Sequence, residues 1–112
     1  MALLSFKTTV IGDVAVVALS GELDVAGAGL LEHELARVAA DHDPPHLLLD
    51  LSGLEFMDST GLRLVVLAEE RARLGDRRLS VVRGSADVHR VFEITRMTER
   101  LHFVDTAAEV TG

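Results

Sequence analysis

Cysteine, tryptophan and tyrosine are missing from these 112 residues, proline occurs twice and phenylalanine four times. The lack of cysteine excludes disulfides and thiolate chemistry, and leaves histidine and carboxylates to build any metal site. No apolar run approaches the roughly 20 residues of a membrane-spanning helix, and residues 1–9 lack the basic start and long apolar stretch of a secretory signal. A cytoplasmic protein without membrane attachment is expected. Lysine is also scarce: Lys7 stands beside ten arginines, and 18 acids bring the net charge to −7. Residues 1–60 carry ten acids against Lys7 and Arg37, a balance of −8, whereas residues 61–112 carry eight acids against nine arginines, a balance of +1. So acidic a chain offers no broad cationic surface for counterion release, which argues against direct nucleic-acid binding. A protein partner or a small ligand fits better.

What is present is an ordinary globular composition, 48% hydrophobic and 26% charged, in a length that suits one domain over residues 1–112. Two apolar segments, residues 3–11 and 14–20, flank Gly12-Asp13 and read as a β-hairpin. A helix follows in which Leu31, Leu35 and Val38 share one face, with Glu32, His33, Glu34 and Arg37 on the polar side. Gly27 and Gly29 predict a loosely held start for it, and Pro44-Pro45 ends it. Leu47-Leu48-Leu49-Asp50-Leu51 is nearly continuous in apolar character, as in a strand covered on both faces. Residues 52–57 read as a loop, 59–74 as a helix closed by Gly75-Asp76, and 79–82 as a strand. Ser85 caps a third helix bearing Val88, Val91 and Phe92, and residues 101–104 form a last strand before a fraying tail. The predicted fold class is α/β, a single mixed, mainly parallel sheet with an antiparallel N-terminal edge strand and flanking helices in the order ββαβαβαβ. Phe6, Phe56, Phe92 and Phe103 are expected in its core.

The most informative stretch runs from Asp50 to Leu62, where a buried strand leads into a helix start bearing Asp58, Ser59, Thr60 and Gly61. Ligand sites in such sheets lie beyond the carboxyl ends of the strands, where this segment falls. On a helical wheel Leu64, Val65, Leu67, Ala68, Ala72 and Leu74 point to the core, whereas Ser59, Leu62, Arg63, Val66, Glu70 and Arg73 share the opposite side. Leu62 and Val66 are therefore expected as exposed apolar residues in line with the Ser59 hydroxyl. Either Asp58 or Ser59 suits the N-cap. A phosphate on Ser59 would add about −1.5 to −2 charge at a helix end whose dipole and free amides tolerate it. Gly61 costs roughly 1 kcal/mol of helix stability and leaves room for a partner's backbone.

Gly21-Glu22-Leu23-Asp24, Leu48-Leu49-Asp50-Leu51-Ser52-Gly53 and above all Phe56-Met57-Asp58-Ser59-Thr60-Gly61-Leu62 resemble the STAS domain of bacterial anti-sigma factor antagonists, over nearly the whole chain. The resemblance implies a switch that regulates transcription without touching DNA. The unphosphorylated antagonist binds an anti-sigma factor serine kinase and releases a sigma factor. Phosphorylation by that kinase breaks the association, and a metal-dependent serine phosphatase restores it. It further implies Ser59 as the phosphoacceptor, Thr60 as the second hydroxyl, and Asp58 and Asp24 as neighbouring acids near the partner. With the helix face above, the expected partner-binding set is Asp24, Asp58, Ser59, Thr60, Gly61, Leu62, Arg63 and Val66, with no cofactor.

Rival readings fit the residues less well. A serine hydrolase needs a base and an oxyanion site, yet His33, His42, His46, His89 and His102 lie in no triad context and Gly-x-Ser-x-Gly is absent. His42 and His46 read as solvated loop residues. A phospho-aspartate receiver built on Asp50 lacks the N-terminal acidic pair that would hold its metal ion, and Asp50 reads as a strand end anchoring the Ser52-Gly53 turn. No enzyme is expected. A STAS-like scaffold subunit or small-ligand sensor without a switch stays open as the alternative.

Overall fold

The two opening segments form the predicted hairpin. β1 (Ser5–Ile11) and β2 (Val14–Leu23) pair antiparallel from Ser5↔Ser20 to Ile11↔Val14, turning through Gly12 at φ 58°. The structure, a computed structural model, describes residues 2–112. α1 (Val25–His42), β3 (His46–Met57), α2 (Ser59–Leu74), β4 (Arg78–Val82), α3 (Ala86–Ile94), β5 (His102–Val104) and α4 (Ala108–Thr111) follow in turn. The five strands stand in the order β1-β2-β3-β4-β5, parallel from β2 onward. Each crossover therefore steps to the next strand in the same direction, and right-handed connections then stack α1, α2 and α3 on one face.

The core follows from the two-residue period of the strands. Ala15, Val17 and Leu19 of β2, Leu49 and Leu51 of β3 and Val81 of β4 pack with Leu31 and Val38 of α1, Val65 and Ala68 of α2, and Val88 and Phe92 of α3. The alternate residues Val14, Val16, Leu48, Val82 and Val104 form a second buried cluster on the opposite face, against Ala107 and Val110. The apolar run at residues 47–51 is thus covered on both sides, as predicted. Each fully buried Val, Leu or Phe contributes about 1.5–3 kcal/mol relative to exposure.

Several expectations are corrected. Residues 52–57 are not a loop, because β3 continues to Met57 through two irregularities in its pairing with β2. At the first, Asp50 accepts hydrogen bonds from the Ser52 amide (3.0 Å) and hydroxyl (2.7 Å). A Cβ on Gly53 would come within 2.7 Å of the Leu19 carbonyl oxygen, so only glycine lets the bulged strand stay this close to β2. Asp50 thus anchors a bulge inside the strand, not the strand's end. Phe56 lies on this extension and is 47% exposed, and Leu74 ends α2 at 80% exposed, so neither joins the core. The tail does not fray but forms α4, which closes the second cluster. Glu34, assigned to the polar side of α1, is buried in line with Leu31 and Val38. It accepts from Thr8 of β1 and from Arg37 Nε (2.8 Å) and Nη2 (2.7 Å). These bonds, Arg37's foremost, hold its carboxyl down to about 2 against the opposing effect of burial.

Candidate functional site

β2 and β3 end at the same level, Leu23 opposite Met57, and the Asp58 amide donates to the Leu23 carbonyl (3.2 Å). An aspartate follows each strand and caps the next helix. Asp24 Oδ1 accepts from the Ala26 (3.0 Å) and Gly27 (3.2 Å) amides at the start of α1. Asp58 Oδ1 accepts from the Thr60 (2.9 Å) and Gly61 (3.1 Å) amides at the start of α2. These bonds satisfy two of the orphan amides of each helix. α1 therefore starts firmly at Val25 despite its glycines, contrary to the loose start expected from them. The two helix starts lie side by side beyond the carboxyl ends of neighbouring parallel strands.

Because Asp58 is the cap, Ser59 occupies the first helical position with its side chain exposed and outside the capping bonds. Thr60 is half-buried, and Arg63, one turn after Ser59, is exposed. Thr60 and Arg63 line one side of a groove of about 340 Å³ whose other wall is Gly29 and Glu32 of α1. The exposure expected of three partner residues is corrected. Gly61 is buried, and a Cβ there would come within 2.7 Å of Met57 Cγ and 2.8 Å of Leu23 Cγ. Its glycine serves the packing of α2 on β2 and β3, not a partner's backbone. Leu62 is half-buried and packs on the core, and Val66 is half-buried too, so neither is the fully exposed apolar residue that the wheel drew. Asp24 and Asp58 are also half-buried, held by their capping bonds.

The apolar exposure at this end lies instead on residues that the sequence pattern did not select. Val25, directly after Asp24, is 73% exposed, and Phe56, two residues before Asp58 and opposite Glu22, is 47% exposed. Simple alternation does not find Phe56, because Leu54 and Met57 both join the helix-side core and the pairing with β2 is irregular between Leu54 and Phe56.

Elsewhere, His46 is not a solvated loop residue. It is the first residue of β3, and its Nε2 lies 2.7 Å from Ser80 Oγ, which in turn lies 2.8 Å from His102 Nδ1. Burial, then the positive charge of Arg78 and then His102, lower the His46 pKa from its ordinary value. Ser80 is buried by strand pairing between the two rings.

A mixed five-stranded sheet with three helices stacked on one face, and an Asp-Ser-Thr-Gly-Leu helix start at the strand ends, define a STAS domain. Residues 5–110 match the STAS domain family. The chain belongs to the STAS domain family of anti-sigma factor antagonists. It is 32% identical over 107 residues to the anti-sigma-B factor antagonist of Staphylococcus aureus, covering 96% of this chain and 97% of the relative. It is 38% identical over 72 residues, 64% of its length, to the anti-sigma-F factor antagonist RsfB of Mycobacterium tuberculosis, and spans 58% of that relative. The crystal structure of an anti-sigma factor antagonist from Mycobacterium paratuberculosis matches with a TM-score of 0.87 at 28% identity, over 95% of this chain and 89% of that one. Among the described residues, no helix is long and apolar enough to cross a membrane.

Proposed function

We propose that this chain is an anti-sigma factor antagonist that works by partner switching in the cytoplasm. Unphosphorylated, it binds an anti-sigma serine kinase through the surface around Ser59, and the kinase lets go of its sigma factor. The kinase then transfers the γ-phosphoryl group of ATP to Ser59 Oγ. The bond to the β-phosphate oxygen breaks, ADP leaves, and the hydroxyl proton goes to a base on the kinase. The new charge, about −1.5 to −2, arrives beside Asp24 and Asp58 on the docking surface and expels the kinase. A metal-dependent serine phosphatase adds water across the Ser59 O–P bond and returns the serine and inorganic phosphate. The chain itself is the substrate and binding partner, not an enzyme, and reaches transcription only through other proteins.

The observation that carries this reading is that Ser59 has no structural duty. Asp58 caps α2 while Ser59 stands exposed at the helix start, outside the capping bonds. Incubation with ATP and an anti-sigma serine kinase, followed by intact-mass and peptide analysis, tests it. One phosphoryl group on Ser59 is expected, with Thr60 unmodified and none on a Ser59→Ala chain. Modification confined to another residue, or none with any such kinase, would refute the switch in favour of a scaffold or ligand-sensing STAS domain.

A further inference from the structure

Phosphate on Ser59 needs hydrogen-bond donors, and two of the three orphan amides at the start of α2 are occupied, leaving only that of Ser59 itself. At an uncapped helix start the first free amides would receive it, but the Thr60 and Gly61 amides already donate to Asp58 Oδ1. The carboxylate that caps α2 also repels a second anion. One cation stands within a turn of Ser59 on α2: Arg63, four residues on, exposed, and in none of the ion pairs formed among the described residues. Side chains at i and i+4 of a helix are neighbours, with Cβ atoms about 5–6 Å apart, and an anion N-terminal to its cation is the favoured order. The guanidinium fork matches two phosphate oxygens at once. At the start of α1 the matching positions hold Val25 and Gly29, so neither the hydroxyl nor the cation belongs to the general construction of these helix starts.

We propose that Arg63 receives the phosphoryl group of phosphorylated Ser59 in an i,i+4 ion pair along the exposed face of α2. The pair gives the dianion donors beyond the Ser59 amide without displacing Asp58. It also draws Arg63 away from the groove that it lines with Thr60, so phosphorylation removes a cation from the partner surface as it adds an anion. The biological meaning rests on the switch reading of Ser59, but the pair can be tested without the kinase.

Phosphoserine is installed at position 59 by codon-directed incorporation, in the wild-type background and with Arg63→Gln, Arg63→Lys and Arg71→Gln. The second ionisation of the phosphate is followed by phosphorus NMR, and circular dichroism verifies that each chain folds. A neighbouring cation favours the dianion, so the wild-type midpoint is expected about 0.4 pH unit below that of Arg63→Gln. Arg63→Lys should recover part of the difference, and Arg71→Gln, which removes an equal charge two turns further along α2, should titrate like wild type. Coincident midpoints for wild type and Arg63→Gln would overturn the pair. So would an Arg71→Gln shift as large as that of Arg63→Gln, since net charge alone would then account for it. Failure of kinases to modify Ser59 would instead refute the switch, so the two outcomes are distinguishable.

Discussion

The starts of α1 and α2 are built alike, and they differ at the residues that the proposed switch uses. Asp24-Val25-Ala26-Gly27 and Asp58-Ser59-Thr60-Gly61 each place an aspartate after a parallel strand, cap the second and third amides with it, and bury a glycine at the third helical position. The first helical residue is an exposed valine in α1 and an exposed serine in α2. α1 begins just as firmly with valine, so the Ser59 hydroxyl is not there to start a helix. Within one chain, α1 acts as a control for α2: shared features belong to folding, and features of α2 alone, Ser59 and Arg63, are the ones the proposed switch uses.

The comparison can be broken or sharpened by substitution. The largest effect is expected for Gly61→Val, whose branched side chain meets Leu23 and Met57 where a single Cβ already overlaps them. A loss of about 3 kcal/mol in urea unfolding would place Gly61 with the packing residues. Glu34→Gln sharpens a difference in the bodies of the two helices, since only α1 buries a carboxylate. It should cost about 1.5–2 kcal/mol at neutral pH through weakened charge-assisted bonds. Because the folded-state pKa of Glu34 is held to about 2, below its ordinary 4.5, its contribution is complete above pH 4.5 and is lost as pH falls towards 2. The variant should therefore unfold with a shallower dependence on pH across that window. Asp24→Ala and Asp58→Ala should each cost about 1 kcal/mol by thermal unfolding; a large inequality would break the equivalence of the two caps. The smallest effect is expected for Ser59→Val, which copies α1. Stability should move by no more than about 0.5 kcal/mol while phosphorylation at this position is lost.

Most of the fold was legible because apolar periodicity and helix punctuation agree along the chain. Val14 begins β2 where the pattern put it, α2 spans Ser59–Leu74 as predicted, and Ser85 caps α3. The pattern failed where local chemistry has two uses. Ser52-Gly53 reads as a turn but makes a bulge, because the Asp50 carboxylate folds the extra residue back onto the strand. Glu34 reads as surface, and its i,i+3 partner Arg37 is legible within α1, but Thr8 of β1 also meets it, which no single-helix pattern contains. In the site, Asp58 and Ser59 were legible as a pair, and their division of labour was not, since either residue suits a cap by type. The buried setting of Gly61 depends on Leu23, 38 positions earlier in the chain, and came only with the register of β2 against β3.

The most direct measurement is titration calorimetry of the unmodified and Ser59-phosphorylated chains against the anti-sigma serine kinase recovered with the Ser59→Ala chain as bait. Placing a phosphate within the docking surface should weaken binding by about 100-fold or more, and Ser59→Ala should bind like the unmodified chain. Equal affinity of the phosphorylated and unmodified chains would contradict the switch.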